Sequence, residues 1–163
     1  MRVEYDRGAP FSAYRTFAFA EPLGTDRAEG PGSLSRFLIA ATRRELESRG
    51  LHQDQASPDV RVNFNAQLAQ KPRAPQVPLP PGGYYGYRHG VYSTWGTYPW
   101  GGADAPYAEG SLNIDVVDVA RKQLVWEGVV VGVISDQALA DPRPAVDAAV
   151  GAAFARYPTR PTK

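Results

Sequence analysis

The sequence predicts an α+β domain, a two-layer sandwich in which two helices pack on one face of a mixed, mainly antiparallel sheet. Two stretches, 60–68 and 111–116, alternate apolar and polar residues, as strands with one buried face do. Two other stretches carry apolar residues at helical spacing on a single stripe. The predicted order is β-α-β, a long loop, then β-β-α, so both helices can cover the same side of the sheet.

The first half of the chain predicts a strand, a helix and a further strand. Val3 and Tyr5 alternate with polar neighbours, as in a short strand that would precede these elements, and Thr16–Ala20 forms the strand before the helix. A helix is predicted over Ser33–Arg49, with Ser33 as N-cap and Gly50 as a left-handed C-cap. The strand Val60–Leu68 then follows, and the order strand, helix, strand suggests a crossover, which should be right-handed if Val60–Leu68 and Thr16–Ala20 pair in parallel.

The middle of the second half predicts a hairpin of two long strands. The alternation over 111–116 predicts that Asp115 lies on a solvent-facing side of the first strand. After a turn at 118–122, the run from Leu124 to Ile134 is apolar at nearly every position, as in a strand covered on both faces. Gly128 and Gly132 fall on one face of this run, and we interpret both as room for a helix to cross rather than as a place where a ligand approaches.

A closing helix is predicted to start at Asp141-Pro142, with Asp as N-cap and Pro at the first helical position. One face of this helix is apolar and comprises Val146, Ala149, Val150, Ala153 and Tyr157. The alanines in this stripe should let the helix approach the sheet closely.

Length and composition indicate one domain and exclude several functional classes. A chain of 163 residues is most simply one domain, 1–163, and is long enough to bury a core. Its net charge of +1, with scattered Lys and Arg, argues against a nucleic-acid partner. The absence of cysteine excludes disulfides and thiolate chemistry. No apolar run is long enough to span a membrane, and the N-terminus has no apolar signal core.

A Pro/Gly/Tyr-rich loop insertion at about 71–105 is the most unusual feature of the sequence. Five of the nine tyrosines and two of the three tryptophans lie in it. Such aromatic side chains suit a surface that binds a glycan, a peptide or an envelope protein. The alternatives are a loop that covers an open face or edge of the sheet, and a disordered segment. The candidate binding residues are Tyr84, Tyr85, Tyr87, Tyr92, Trp95, Tyr98 and Trp100.

The sequence nominates no catalytic residue, no metal site and no cofactor. The two histidines, His52 and His89, lie in predicted loops without a second ligand at metal-binding spacing. Asp115 and Asp118 are the best-placed carboxylates, but each has a sufficient structural role in a strand or a turn. No serine lies in a Gly-x-Ser-x-Gly nucleophile motif.

Several blocks, taken in order, resemble a family of predicted bacterial lipoproteins known as domain-of-unknown-function family 4136. They are Val3–Asp6 with Phe11–Phe19, Arg44–Leu46 with Arg49-Gly50, Pro58–Phe64, Gly110–Asp118 with Leu124–Gly128, and the closing alanine-rich helix. The resemblance implies a lipid-anchored domain in the bacterial periplasm, attached through an N-terminal lipid on a cysteine that this sequence lacks. It brings no catalytic residues.

Together these observations favour a non-enzymatic cell-envelope domain that acts as an interaction or scaffold module. Two other functions are kept as alternatives. One is an envelope polymer hydrolase that uses Asp or Glu residues, which requires a concave site with at least two converging carboxylates. Separate exposure of Asp104, Glu109, Asp115 and Asp118 to solvent would count against it. The other is a glycan-binding module that uses the aromatic loop. Assembly through an exposed sheet edge is a further structural hypothesis.

Overall fold

A computed structural model describes residues 1–28, 30–70 and 108–162 of the chain. In this part, six strands form one sheet: β1 (Arg2–Tyr5), β2 (Thr16–Phe19), β3 (His52–Gln53), β4 (Val60–Gln70), β5 (Ala108–Asp118) and β6 (Gln123–Ile134). The helices are α1 (Ser33–Glu47), α2 (Asp136–Ala140) and α3 (Arg143–Phe154), and a 3-10 turn spans Phe11–Ala13.

The sheet is mixed, and its strand order is β1-β6-β5-β4-β2-β3. β2 runs parallel to β3 and β4, whereas β4, β5, β6 and β1 pair antiparallel in succession. The predicted α+β class is confirmed, and the structure shows that β2 and β4 pair in parallel, which is the arrangement that the suggested crossover needs. The residues His52–Gln53, predicted as linker, instead extend the sheet beside β2.

The helices α1 and α3 share one hydrophobic core with the strands. Phe17, Phe64 and Trp126 contribute large side chains from the sheet, and all three are fully buried. From the helices, Leu38 and Phe154 join the same cluster. Burial of such side chains stabilises a fold by about 1.5–3 kcal/mol each. The alternating apolar residues of the strands therefore lie on the face that the helices cover, as their pattern predicts.

The helix boundaries differ slightly from the prediction. Gly32, not Ser33, occupies the N-cap of α1, and this residue makes no side-chain cap hydrogen bond. Gly50 has φ of +86°, as expected for a left-handed C-cap. The last helix begins one residue after Pro142, and the Asp141 carboxylate accepts a hydrogen bond from the Arg143 N–H at 3.2 Å. None of the helices in the described ranges has both the length and the hydrophobicity that a membrane span requires.

The predicted solvent-facing side of β5 is wrong. Asn113 and Asp115 are fully buried on the face opposite the helices, and Asn63 of β4 is buried beside them. Period-two alternation of apolar and polar residues identifies two faces but does not show that the polar face meets water.

Candidate functional site

A row of polar side chains crosses the middle of the sheet on the face away from the helices. Register places Asn63 of β4 opposite Asp115 of β5, and Asp115 opposite Glu127 of β6. Asn113 lies two residues before Asp115 and projects from the same face. We call Asn63, Asn113, Asp115 and Glu127 the polar row, and each is at most 4% exposed.

Hydrogen bonds hold Glu127 of the polar row in a fixed position. Its carboxylate accepts from Asn113 Nδ2 at 2.7 Å and from Arg2 Nη2 at 3.3 Å. These bonds join β6 to β5 on one side and to β1 on the other. They also offset the cost of removing a carboxylate from water, which is large when a buried group is left unmatched.

Asn63 is held at the other end of the polar row. Its side-chain oxygen accepts hydrogen bonds from the backbone N–H groups of Gly24 and Phe64, both at 2.9 Å. Gly24 belongs to the segment between β2 and α1, so the bond attaches this segment to the face of the sheet. The asparagine therefore has a structural role.

The two carboxyl groups of the polar row interact electrostatically. Burial raises the pKa of Asp115 well above its usual range, and the neighbouring Glu127 carboxylate raises it further. A carboxyl group with a raised pKa beside a second carboxylate is an arrangement that acid–base enzymes use. Here Asp115 is 0% and Glu127 4% exposed, so a substrate has no direct access to either side chain.

Asp118, the other predicted carboxylate, has a structural role near the hairpin turn. Its side chain accepts a hydrogen bond from the Tyr14 hydroxyl at 2.7 Å and from the Arg121 N–H at 2.9 Å. Burial and the hydrogen bond to Asp118 raise the pKa of Tyr14. Asp115 and Asp118 lie three residues apart on opposite faces of β5, so the strand does not bring them together.

The predicted aromatic site lies outside the part of the chain that the structure describes. Its residues are Tyr84, Tyr85, Tyr87, Tyr92, Trp95, Tyr98 and Trp100, and His89 and Asp104 fall in the same range. His52 is exposed on β3, and Glu109 is buried on β5. In the ranges 1–28, 30–70 and 108–162, no three His, Cys, Asp or Glu side chains are grouped so as to hold a metal ion.

A shallow depression lies where β1 meets β6. Its volume is about 190 Å³, and it is lined by Glu4, Tyr5, Asp6 and Leu124–Glu127. Pockets that enclose small-molecule ligands usually measure about 300–1,000 Å³. This depression is therefore too small to enclose such a ligand.

The last five residues of β6, Val130–Ile134, form what we call the β6 edge. β1 covers the outer side of β6 only as far as Val129, which is opposite Arg2, and no described strand pairs with the outer side beyond it. Gly132 is exposed, and Val133 is 70% exposed. Exposed apolar strand edges are sites at which other chains can pair, and natural proteins usually protect them with charge, proline or a bulge.

The last strand was predicted to be covered on both faces. This prediction is right for the first part of the strand and wrong for its last five residues. Val125–Val129 is buried, whereas the β6 edge is partly to largely exposed. Gly128 does make room for a helix, because a Cβ there would lie 3.1 Å from the Ala153 Cβ. Gly132 does not, since a Cβ there would meet nothing within 4 Å. The β6 edge consists of four apolar residues around a glycine, and this pattern is equally typical of a buried strand.

Two comparisons with known proteins bear on this fold. The family described as Domain of unknown function (DUF4136) matches residues 1–159. A PDZ domain protein from Parabacteroides distasonis is similar in structure, with a TM-score of 0.65 and 18% sequence identity over 96% of this chain. The chain spans only 35% of that protein, and at this identity the likeness shows the fold alone. No curated protein matches the sequence.

Proposed function

Since the chain belongs to the DUF4136 family, whose function is unknown, we propose that it is a non-enzymatic interaction module of the bacterial cell envelope. The observation that carries this proposal is the β6 edge. Its side chains are apolar and partly to largely exposed, and the outer side of its backbone pairs with no described strand. An edge of this kind binds an extended chain through main-chain hydrogen bonds.

The burial of the polar row also favours binding over catalysis. A hydrolase that used Asp115 and Glu127 would need an open cleft in which both carboxyl groups reach one bond of the substrate. Both side chains are buried, and Glu127 already accepts hydrogen bonds from Asn113 and Arg2. The arrangement fits a structural network that fixes the register of β5 and β6.

A hydrolase is kept as the second candidate because the carboxyl pair has the electrostatic property that acid–base catalysis requires. The raised pKa of Asp115 would make it the proton donor and Glu127 the base. Peptidoglycan turnover by the protein, abolished equally by Asp115→Asn and Glu127→Gln in folded variants, would establish this second function. No turnover by the parent protein would remove it.

Attachment through an N-terminal lipid in the periplasm belongs to the same proposal. Its support is the resemblance together with the position of Met1, which is 50% exposed beside the outermost strand. A glycan partner for the aromatic segment, with its seven Tyr and Trp residues, also remains part of the proposal.

Site-specific photocrosslinking in the native bacterium tests the interaction module. A photoreactive residue at Val133 of the full protein is expected to give discrete adducts with another envelope protein. The matched control is Lys122, which is also exposed but lies in the turn at the other end of β6. Equal adduct patterns from both positions, or none from Val133, would contradict the proposal.

A further inference from the structure

We propose that the chain forms a two-fold symmetric dimer in which the β1 strands of two copies pair antiparallel. Val3 lies opposite Val3 of the second copy, so that Arg2 of each copy faces Glu4 of the other. The partner is thus a second copy of this chain. The inference goes beyond the proposed function, because it uses the outer side of β1 and not the β6 edge.

The outer side of β1 is an open strand edge. β1 is the first strand in the order of the sheet, and no described strand pairs with its outer side. The Asp6 N–H donates to the Val125 carbonyl of β6 at 2.8 Å. Backbone groups of successive residues point alternately to the two sides of a strand in an antiparallel ladder. The even-numbered positions of β1 therefore face β6, and the N–H and carbonyl groups of Val3 and Tyr5 face outwards.

The side chains of β1 leave this edge accessible. Tyr5 is 46% exposed, and Met1, which precedes the strand, is 50% exposed. The edge consists of residues within β1, so it is open however far the strand extends in the N-terminal direction. An exposed edge of this kind is a template for pairing with another chain.

The charges of β1 match those of a second β1 strand. Arg2 and Glu4 project from the same face of the sheet, because side chains alternate along a strand. Arg2 lies 3.6 Å from its own Glu4 and 3.3 Å from Glu127, and its guanidinium has five N–H donors in total. Glu4 is 64% exposed, so its carboxylate can accept hydrogen bonds from a second guanidinium. An antiparallel copy of β1 brings that guanidinium to it.

A second cation beside Glu4 also suits the neighbouring strand. Glu4 lies opposite Glu127 across the ladder between β1 and β6. Like charges directly opposite each other destabilise a strand pair. Arg2 of a second copy would offset this repulsion from the outer side of β1.

The charges also select one register of the two strands. With the two-fold axis at Val3, both pairs of Arg2 and Glu4 form between the copies. With the axis at Glu4, the two Glu4 carboxylates face each other, and with the axis at Arg2, the two guanidinium groups do so. Opposite charges across a ladder stabilise the pair and like charges destabilise it, so the axis at Val3 is favoured.

The same register covers apolar side chains on the other face of β1. Val3 packs against Val3 of the second copy, and Tyr5 lies opposite Met1 of the second copy. Tyr5 and Met1 belong to the large apolar side chains that are exposed in a single copy. Pairing removes apolar area of both from water, which favours association.

The size of the interface sets the expected strength of the dimer. Residues Met1–Tyr5 of each copy pair, and so short a ladder buries less than the ~1,200 Å² at the lower end of specific interfaces. The pairing is closed, because each copy uses its one β1 edge and the symmetry is two-fold. We expect a weak dimer with a dissociation constant of roughly 100 µM.

The first experiment measures sedimentation of the full chain over concentrations from about tenfold below to about tenfold above that value. We expect a shift from monomer to dimer. Amide hydrogen exchange at Val3 and Tyr5 should slow as the dimer forms, with Glu4 unchanged because its amide faces β6. A monomer at every concentration would overturn the proposal. Protection of Val3 and Tyr5 that does not depend on concentration would also overturn it, since the edge would then be closed within one copy.

Single cysteines test the register, because the chain has no cysteine of its own. In Val3→Cys the two thiols meet at the two-fold axis, with Cα atoms ~5.5 Å apart, a separation that a disulfide can bridge. Tyr5→Cys is the matched control, since position 5 is the more exposed of the two but lies more than ~13 Å from its counterpart. Val3→Cys should therefore oxidise to a linked dimer much faster. Equal rates, or a faster rate for Tyr5→Cys, would overturn the register.

A charge reversal tests the complementarity of the two strands. Glu4→Lys places two like-charged pairs across the interface and should weaken the dimer about tenfold. Glu47→Lys is the matched control, because it makes the same change in charge at an exposed position on α1 and should leave the dissociation constant unchanged. Equal weakening by both variants would overturn the charge argument. None of these changes touches the β6 edge, so a failure of the dimer leaves the interaction module to be judged by crosslinking at Val133.

Discussion

The two parts of β6 have similar compositions and opposite environments. Val125–Val129 is buried and is flanked by β5 and β1, whereas Val130–Ile134 is flanked, among the described strands, by β5 alone. The difference arises from what lies beside the strand, because β1 pairs with Trp126–Val129 and not with the residues after it. Hydrophobicity therefore makes β6 a strand along its whole length, whereas pairing with β1 decides which part of it is buried.

The largest expected contrast between the two parts comes from removing one side chain from each. Trp126→Ala should lower the free energy of unfolding by about 3–5 kcal/mol, because Trp126 is fully buried against Phe154 and Tyr157. Val133→Ala should change it by less than about 0.5 kcal/mol, since this side chain is mostly in water. Denaturant unfolding measures the change in the free energy of unfolding for each variant. Losses of stability of similar size in both variants would contradict the division of β6 into a buried and an exposed part.

The two glycines give a finer test of the same division. In Gly128→Ala the new Cβ would lie 2.7 Å from Trp126 Cη2 and 3.1 Å from Ala153 Cβ, so the variant should be destabilised by about 1–3 kcal/mol. Gly132→Ala meets no atom within 4 Å and should gain roughly 0.5 kcal/mol from reduced freedom of the unfolded chain. Thermal unfolding should therefore shift in opposite directions, and a shift in the same direction would show that the two sites are equally packed.

The polar row should make the stability of the protein depend on pH. The folded protein raises the pKa of Asp115, so it holds this proton more tightly than the unfolded chain does. As pH rises above the unfolded pKa of ~3.9, Asp115 increasingly disfavours folding until its folded pKa is passed. Asp115→Asn removes this penalty, so the variant should gain stability relative to the parent protein as pH rises towards neutrality, with no gain at low pH.

Asp59 is a control for that measurement, because its pKa is shifted in the opposite direction to that of Asp115. Hydrogen bonds from the Arg15 and Thr16 backbone N–H groups lower the pKa of Asp59. Its contribution to stability is present above its unfolded pKa and is lost as pH falls through the folded value. The free energy of unfolding is measured across pH for the parent protein and for both variants. The stability of the parent relative to Asp115→Asn should fall as pH rises, whereas its stability relative to Asp59→Asn should rise. Changes of the same sign would contradict the electrostatics described for Asp115.

Much of the fold follows from local patterns that are visible in the sequence. The helical stripe of α1, the alternation of β4 and the left-handed glycine at position 50 each depend on neighbouring residues only. The burial of Asp115 does not follow from such a pattern, because this aspartate has the same local sequence signal as a solvent-facing one. The sequence did not place an exposed edge on β6 for the converse reason, since the valines there look like core residues.

The sequence alone determined where strands and helices form, because hydrophobic periodicity and turn residues act over a few positions along the chain. It also determined family membership, through blocks that extend over residues 1–159. The tertiary structure alone decided that Glu127 would lie beside Asp115, and that β1 would pair with Trp126–Val129. Those features depend on strand register, which brings together residues that are far apart in the chain.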